Sequence, residues 1–154
     1  MRDKVRIIDA QSGSLEWFAA AGLNGAVHQS LVDTVRAIWA GDFDPRLLEL
    51  VRLRIAELLR CDAELGERTQ SAIEAGVNDE TVLALRQWPT SDLFDQRDRT
   101  VLAWVEQWLF DVQGIRDEDA NAVQQLFSPK ELAHLTLALA VFEALIRARV
   151  ALAV

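Results

Sequence analysis

From Ser128 the sequence reads "SPKELAHLTLALAVFEALIRARVAL", ending at Leu152. Ser128 with Glu131 three residues on is a capping box, and Pro129 stands at the first helical position, where its missing N–H costs nothing. Leu132, Leu135, Leu137, Leu139, Val141, Phe142, Leu145, Ile146, Val150 and Leu152 then surround almost the whole circumference. A helix that is apolar nearly all round has to be buried on most sides. In a chain of 154 residues a second copy is the cheapest source of cover, so the sequence predicts a homo-oligomer with Leu139 and Phe142 in the contact. The apolar run Leu135–Phe142 is interrupted by Glu143, Arg147 and Arg149, which is too short a stretch to cross a bilayer.

The rest also reads at helical period. Ser14 is placed to cap a short helix ending near Gly22, and Val27, Leu31, Val35 and Ile38 stripe a helix from about 26 to 40. Asp44 and Pro45 open a third, in which Leu47, Leu50, Val51, Arg54 and Leu58 share a face. A fourth is expected from about Asp62 to Ala75, stopped by Gly76, with Asn78 capping the next. Val101, Trp104, Val105 and Trp108 stripe a helix of about five turns, and Asp117 opens a short one up to Phe127. No strand pattern competes. The expectation is one all-α domain over 1–154, a helical bundle around a central helical hairpin.

A net charge of −8 has the wrong sign for phosphate backbones or an anionic membrane surface, so neither nucleic acid nor membrane is an expected partner. A single cysteine cannot form an internal disulfide, and "MRDKVRIIDAQ" has no signal-peptide core, which points to the cytoplasm. No cofactor is expected, since there is no glycine-rich phosphate loop. Nor is a metal, since His28, His134 and Cys61 lack ligand spacing. His134 reads as a satisfied core or interface residue, Trp104 and Trp108 as core, and Trp88 beside Pro89 as the tryptophan able to line a pocket.

The chemistry-bearing stretch is "RCDAELGERTQSAIEAG", residues 60 to 76. On a continuous helix Glu64 and Arg68 would share the face of Cys61, one and two turns on. The helix N-terminus would lower the Cys61 pKa, and Asp62 and Glu64 would raise it. A lone cysteine is equally at home as a small core residue, and Glu64 four residues before Arg68 is the favoured spacing for a solvated pair.

"FDPRLLELVRLRIAELLRC", Phe43 to Cys61, resembles the alkylhydroperoxidase D and carboxymuconolactone decarboxylase family. "ERTQSAIEAGVNDETVLAL", "SDLFDQRDRTVLAWVEQWL" and "FSPKELAHLTLALAVFEALIRARVAL" resemble its later segments in order, so the likeness runs over about 43–154. It implies a thiol-dependent peroxidase of peroxiredoxin type, an antioxidant oxidoreductase, with a C-x-x-C-x-x-x-H motif and a glutamate twelve residues before the first cysteine. Carried onto this chain, that glutamate is Glu49 and the first cysteine Cys61, while Glu64 replaces the second cysteine and Arg68 the histidine. Arg68 cannot act as a base near neutral pH. The catalytic candidates are therefore Cys61, Glu49, Glu64 and Arg68 in a weakened or lost dithiol relay. The alternatives are a non-redox pocket for a small organic acid or lactone, suggested by the decarboxylase branch, and a pseudoenzyme in which Arg68 bridges Glu49 and Glu64 as a buried ion-pair network.

Overall fold

The computed structural model describes residues 5–8, 13–23 and 25–152. In chain order its elements are β1 (Arg6–Ile8), α1 (Gly13–Ala20), α2 (Ala26–Ala40), α3 (Pro45–Leu58), α4 (Asp62–Leu65), β2 (Glu67–Thr69), α5 (Gln70–Glu74), α6 (Asp79–Ala84), α7 (Gln96–Phe110), α8 (Asp117–Leu126) and α9 (Pro129–Leu152). Helix α1 starts at Gly13, one residue before the expected Ser14 cap, whose side chain lies outside the described residues.

The caps read at Asp44, Asn78 and Ser128 are formed. Asp44 accepts from the Arg46 N–H at 2.9 Å with Pro45 behind it, Asn78 and Thr81 exchange a capping box, and Ser128 does the same with Glu131. Each satisfies N–H groups that the first turn of a helix leaves without partners. His134 bonds the Ile38 carbonyl through Nε2 at 2.9 Å and stacks on Phe43, as expected of a satisfied core histidine. Val35 and Ile38 of the expected α2 stripe are buried, whereas Val27 is exposed.

Two expectations are corrected. Within the chain the helix buried on every side is α3, in which all residues from Leu47 to Ala56 are buried, charged Glu49, Arg52 and Arg54 included. It packs chiefly on α7 and α9. Helix α9 buries one stripe, Leu135, Ala138, Leu139, Phe142 and Ile146, and leaves Leu137, Val150 and Leu152 exposed. Leu139 and Phe142 therefore face the chain's own core.

The helix expected over 62–75 is also broken. After four residues of α4 the chain straightens into β2, which pairs in parallel with β1 in the register Arg6↔Glu67, Ile7↔Arg68 and Ile8↔Thr69. Helix restarts at α5, where the Thr69 hydroxyl accepts from the Ala72 N–H at 3.2 Å. Among the described residues these are the strands, so the fold is helical with one short parallel pair. No described helix is long and apolar enough to cross a membrane.

Candidate functional site

The site grows from the C-terminal end of α3. The Cys61 N–H reaches back to the Ala56 carbonyl at 2.8 Å and the Arg60 N–H to Glu57 at 3.1 Å. These are the two bonds of a Schellman closure. The residue that must turn left-handed there is Arg60, at φ 56°, in a place usually given to glycine. This turn sets Cys61 just before α4, packed into the core and only 5% exposed.

The thiol is not activated. Burial is the largest influence and pushes its pKa up. The Glu64 N–H draws it down, the Glu64 carboxylate pushes it up, and Arg149 and Glu67 follow with smaller opposing effects. A helix of four residues has little macrodipole to offer against this.

Beside the thiol, Glu49 and Glu64 converge as expected, but the cation between them is Arg52. Its Nε and Nη2 donate to the two oxygens of Glu49 at 3.0 and 2.8 Å, a bidentate fork within one turn of α3. Its Nη1 donates to the Glu64 carboxylate at 2.6 Å and the Glu64 carbonyl at 3.1 Å, and Nη2 also reaches the Glu67 carbonyl at 2.7 Å. Burial pulls the Arg52 pKa down, yet Glu49 and then Glu64 outweigh it and hold the guanidinium above its ordinary range. The second oxygen of Glu64 accepts from Arg149 of α9 at 2.7 Å, and Arg149 also holds the Glu67 carboxylate at 3.2 and 3.3 Å. Glu67 receives a longer contact, 3.5 Å, from Arg6 of β1.

Arg68 does not bridge the carboxylates. Because the chain is a strand at that point, Arg68 leaves the face of Cys61 and Glu64, and its Nη1 donates to the carbonyls of Leu65 and Glu67, both at 2.6 Å. Its nearest carboxylate is Asp79 at 3.7 Å, and its Nε finds no acceptor among the described residues. Burial lowers its pKa, with Glu49 raising it less. The four candidates thus split into Glu49, Glu64 and Cys61 on one side and Arg68 on the other.

Arg52, Glu67 and Arg149 were missed. A signal for Arg52 is present, since E-x-x-R places a carboxylate and a guanidinium on one face of α3, where burial obliges them to pair. Nothing local reveals Arg149, which reaches the site from α9. A similar knot holds the opposite flank of α3. Arg54 bonds Glu57, Glu106 and the Leu85 carbonyl, and the Trp88 indole N–H donates to Glu106 at 2.6 Å. Among the described residues no cluster of His, Cys, Asp and Glu has the arrangement of a metal site.

Known proteins share parts of this sequence and its fold. Two uncharacterized proteins of Mycobacterium tuberculosis, from strains CDC 1551 / Oshkosh and ATCC 25618 / H37Rv, are each 28% identical over 125 residues. The match takes in 81% of this chain and 43% of each relative, so the chain spans less than half of their length. The fold is shared with a crystal structure of a protein of unknown function from Agrobacterium tumefaciens, provisionally described as the antioxidant defence protein AhpD. The TM-score is 0.72 at 16% identity, over 88% of this chain and 91% of that one. The carboxymuconolactone decarboxylase family model matches residues 26–107, from α2 through the hairpin and into α7. That span is just over half of the sequence and includes Glu49, Cys61, Glu64 and Arg68, and the chain belongs to the carboxymuconolactone decarboxylase family.

Proposed function

We propose that this chain keeps the scaffold of a thiol-dependent peroxidase but has turned its relay positions into a structural ion-pair network, leaving at most a slow monothiol reaction at Cys61. The observation that carries this reading is Arg52, whose fork occupies both oxygens of Glu49 and whose remaining nitrogen is held by Glu64. A dithiol cycle needs one thiolate to take a peroxide oxygen as sulfenic acid and a second thiol to displace water, closing a disulfide. With one cysteine per chain the second step has no intramolecular partner. Glu49, held in a fork, is also poorly placed to accept a proton.

Peroxide consumption with a dithiol reductant should match that of Cys61→Ser, and a thiol-specific disulfide reagent should modify native Cys61 slowly at neutral pH and fast once the protein is unfolded. Robust turnover that Cys61→Ser abolishes would restore the peroxidase reading, with an external resolving thiol.

A second reading, a non-redox pocket for a small organic acid, rests on Arg68, whose Nε lacks an acceptor beside a shallow cavity of about 440 Å³. Asp79 and Glu80 line the same cavity and would repel an acid, so the structural reading is preferred. The homo-oligomer is retained as a proposal on the face of α9 that carries Leu137, opposite the buried stripe. Leu137→Arg should lower the native mass in solution, as measured by light scattering. An unchanged mass would remove this face from any assembly.

A further inference from the structure

Among the described residues, strand β1 has a partner on one edge only. The Arg6 N–H donates to the Gly66 carbonyl at 2.9 Å, and the register pairs Ile7 with Arg68. Successive residues of a strand turn their backbone groups to opposite edges, so Arg6 and Ile8 bond β2 while the N–H and carbonyl of Ile7 point outward. The Ile7 side chain is 60% exposed. An unpaired edge with an apolar residue at its centre is a template for a further strand.

Two shallow hollows adjoin this edge, the one of about 440 Å³ beside Arg68 and a second of about 230 Å³, with Val5, Arg68 and Asp79 in the walls of both. Ile73 and Val77 complete the first with apolar surface, Val82 and Leu83 the second. Ile7 and Arg68 are paired in register, which sets them on the same face of the strand pair.

The charge on this surface decides what can cover it. Arg68, the cation in these walls, is 2% exposed and its Nη1 is taken by two carbonyls, whereas Asp79 and Glu80 are exposed. The field met from solvent is therefore negative. A second copy, with its net charge of −8, would bring the same carboxylates against these. A basic occupant is favoured instead.

We propose that β1 is the docking edge for an extended segment of another protein, one whose alternate residues read basic, apolar, basic. Its backbone bonds the outward groups of Ile7, its apolar side chain lies beside Ile7, and its cations reach Asp79 and Glu80. Because side chains alternate along a strand, these three share the face of the hollows.

The test adds the capped heptapeptide TKTITKT, with both lysines and the isoleucine on one face, to the ¹⁵N-labelled full chain and follows amide hydrogen exchange. The dissociation constant should be below about 1 mM. At saturation the Ile7 N–H should exchange about tenfold more slowly, while the Arg6 and Ile8 amides, already bonded to β2, change little. The charge-reversed TETITET should bind about tenfold more weakly, and Glu80→Gln should weaken TKTITKT about threefold. Binding that leaves Ile7 exchange unchanged, equal affinity for the two peptides, or no binding would overturn the proposal. Protection of Ile7 that rises with protein concentration alone would also overturn it, giving the edge to a second copy. The two peptides are compared on the unmodified protein, so the result holds even if Glu80→Gln fails to fold. It is also independent of any peroxide activity at Cys61.

Discussion

Arg52→Ala is expected to lower the unfolding free energy by about 3–5 kcal/mol, the cost of removing one partner from a buried ion pair. The loss is large because Glu49, fully buried, would lose both bonds of the fork, while Glu64, 3% exposed, would keep Arg149 but lose the cation on its other oxygen. Denaturant titration reads it directly as a lower midpoint at constant slope. Arg52→Lys, which keeps the charge but cannot fork, should fall between. A midpoint unmoved by Arg52→Ala would mean that the carboxylates find water or protons at no cost, and the network would cease to be structural.

The second large effect concerns the attempt to rebuild the peroxidase motif. Glu64→Cys restores the C-x-x-C spacing, yet it should destabilise the protein by roughly 3 kcal/mol and yield no efficient peroxide turnover. Glu64 is the carboxylate that Arg52 and Arg149 hold between them, so its removal loosens α3 from α9. Adding Arg68→His does not complete the relay, since residue 68 lies on a strand and off the face of Cys61. Thermal unfolding together with a dithiol-coupled peroxide assay checks both halves. Full stability with vigorous turnover in the double variant would show that the network was incidental and the old site still latent.

Much of this architecture is legible along the chain because its signals are local. Asp44–Pro45, Asn78 and Ser128–Pro129–Glu131 announce helix starts through chemistry that completes within a few residues. The break at Glu67–Thr69 is not legible in that way. Its partner strand lies at Arg6–Ile8, and helical periodicity carries no information about a pairing so remote. The exchange of roles between α3 and α9 has a related cause. Hydropathy ranks α9 as the more apolar helix, but a buried Glu or Arg is tolerated once paired, and Glu49 with Arg52 pair inside α3 itself. The family resemblance set Glu49 beside Cys61 and Glu64, and in the structure Glu49 and Glu64 share the guanidinium of Arg52. The sequence pattern assigned the bridging charge to Arg68 because it assumed an unbroken helix, whereas the bridging cations come from the preceding helix and the last one.

Glu67 takes contacts from Arg6 in the first strand and Arg149 in the last helix, so one side chain in the middle of the chain closes two very long loops. Closure entropy grows only with the logarithm of loop length, about 0.6 kcal/mol for each doubling, so tying distant segments costs little more than tying near ones. What the arrangement gains is cooperativity. Strand β1 and helix α9 are fastened to the same buried centre, and neither can leave without exposing charges that the other is holding.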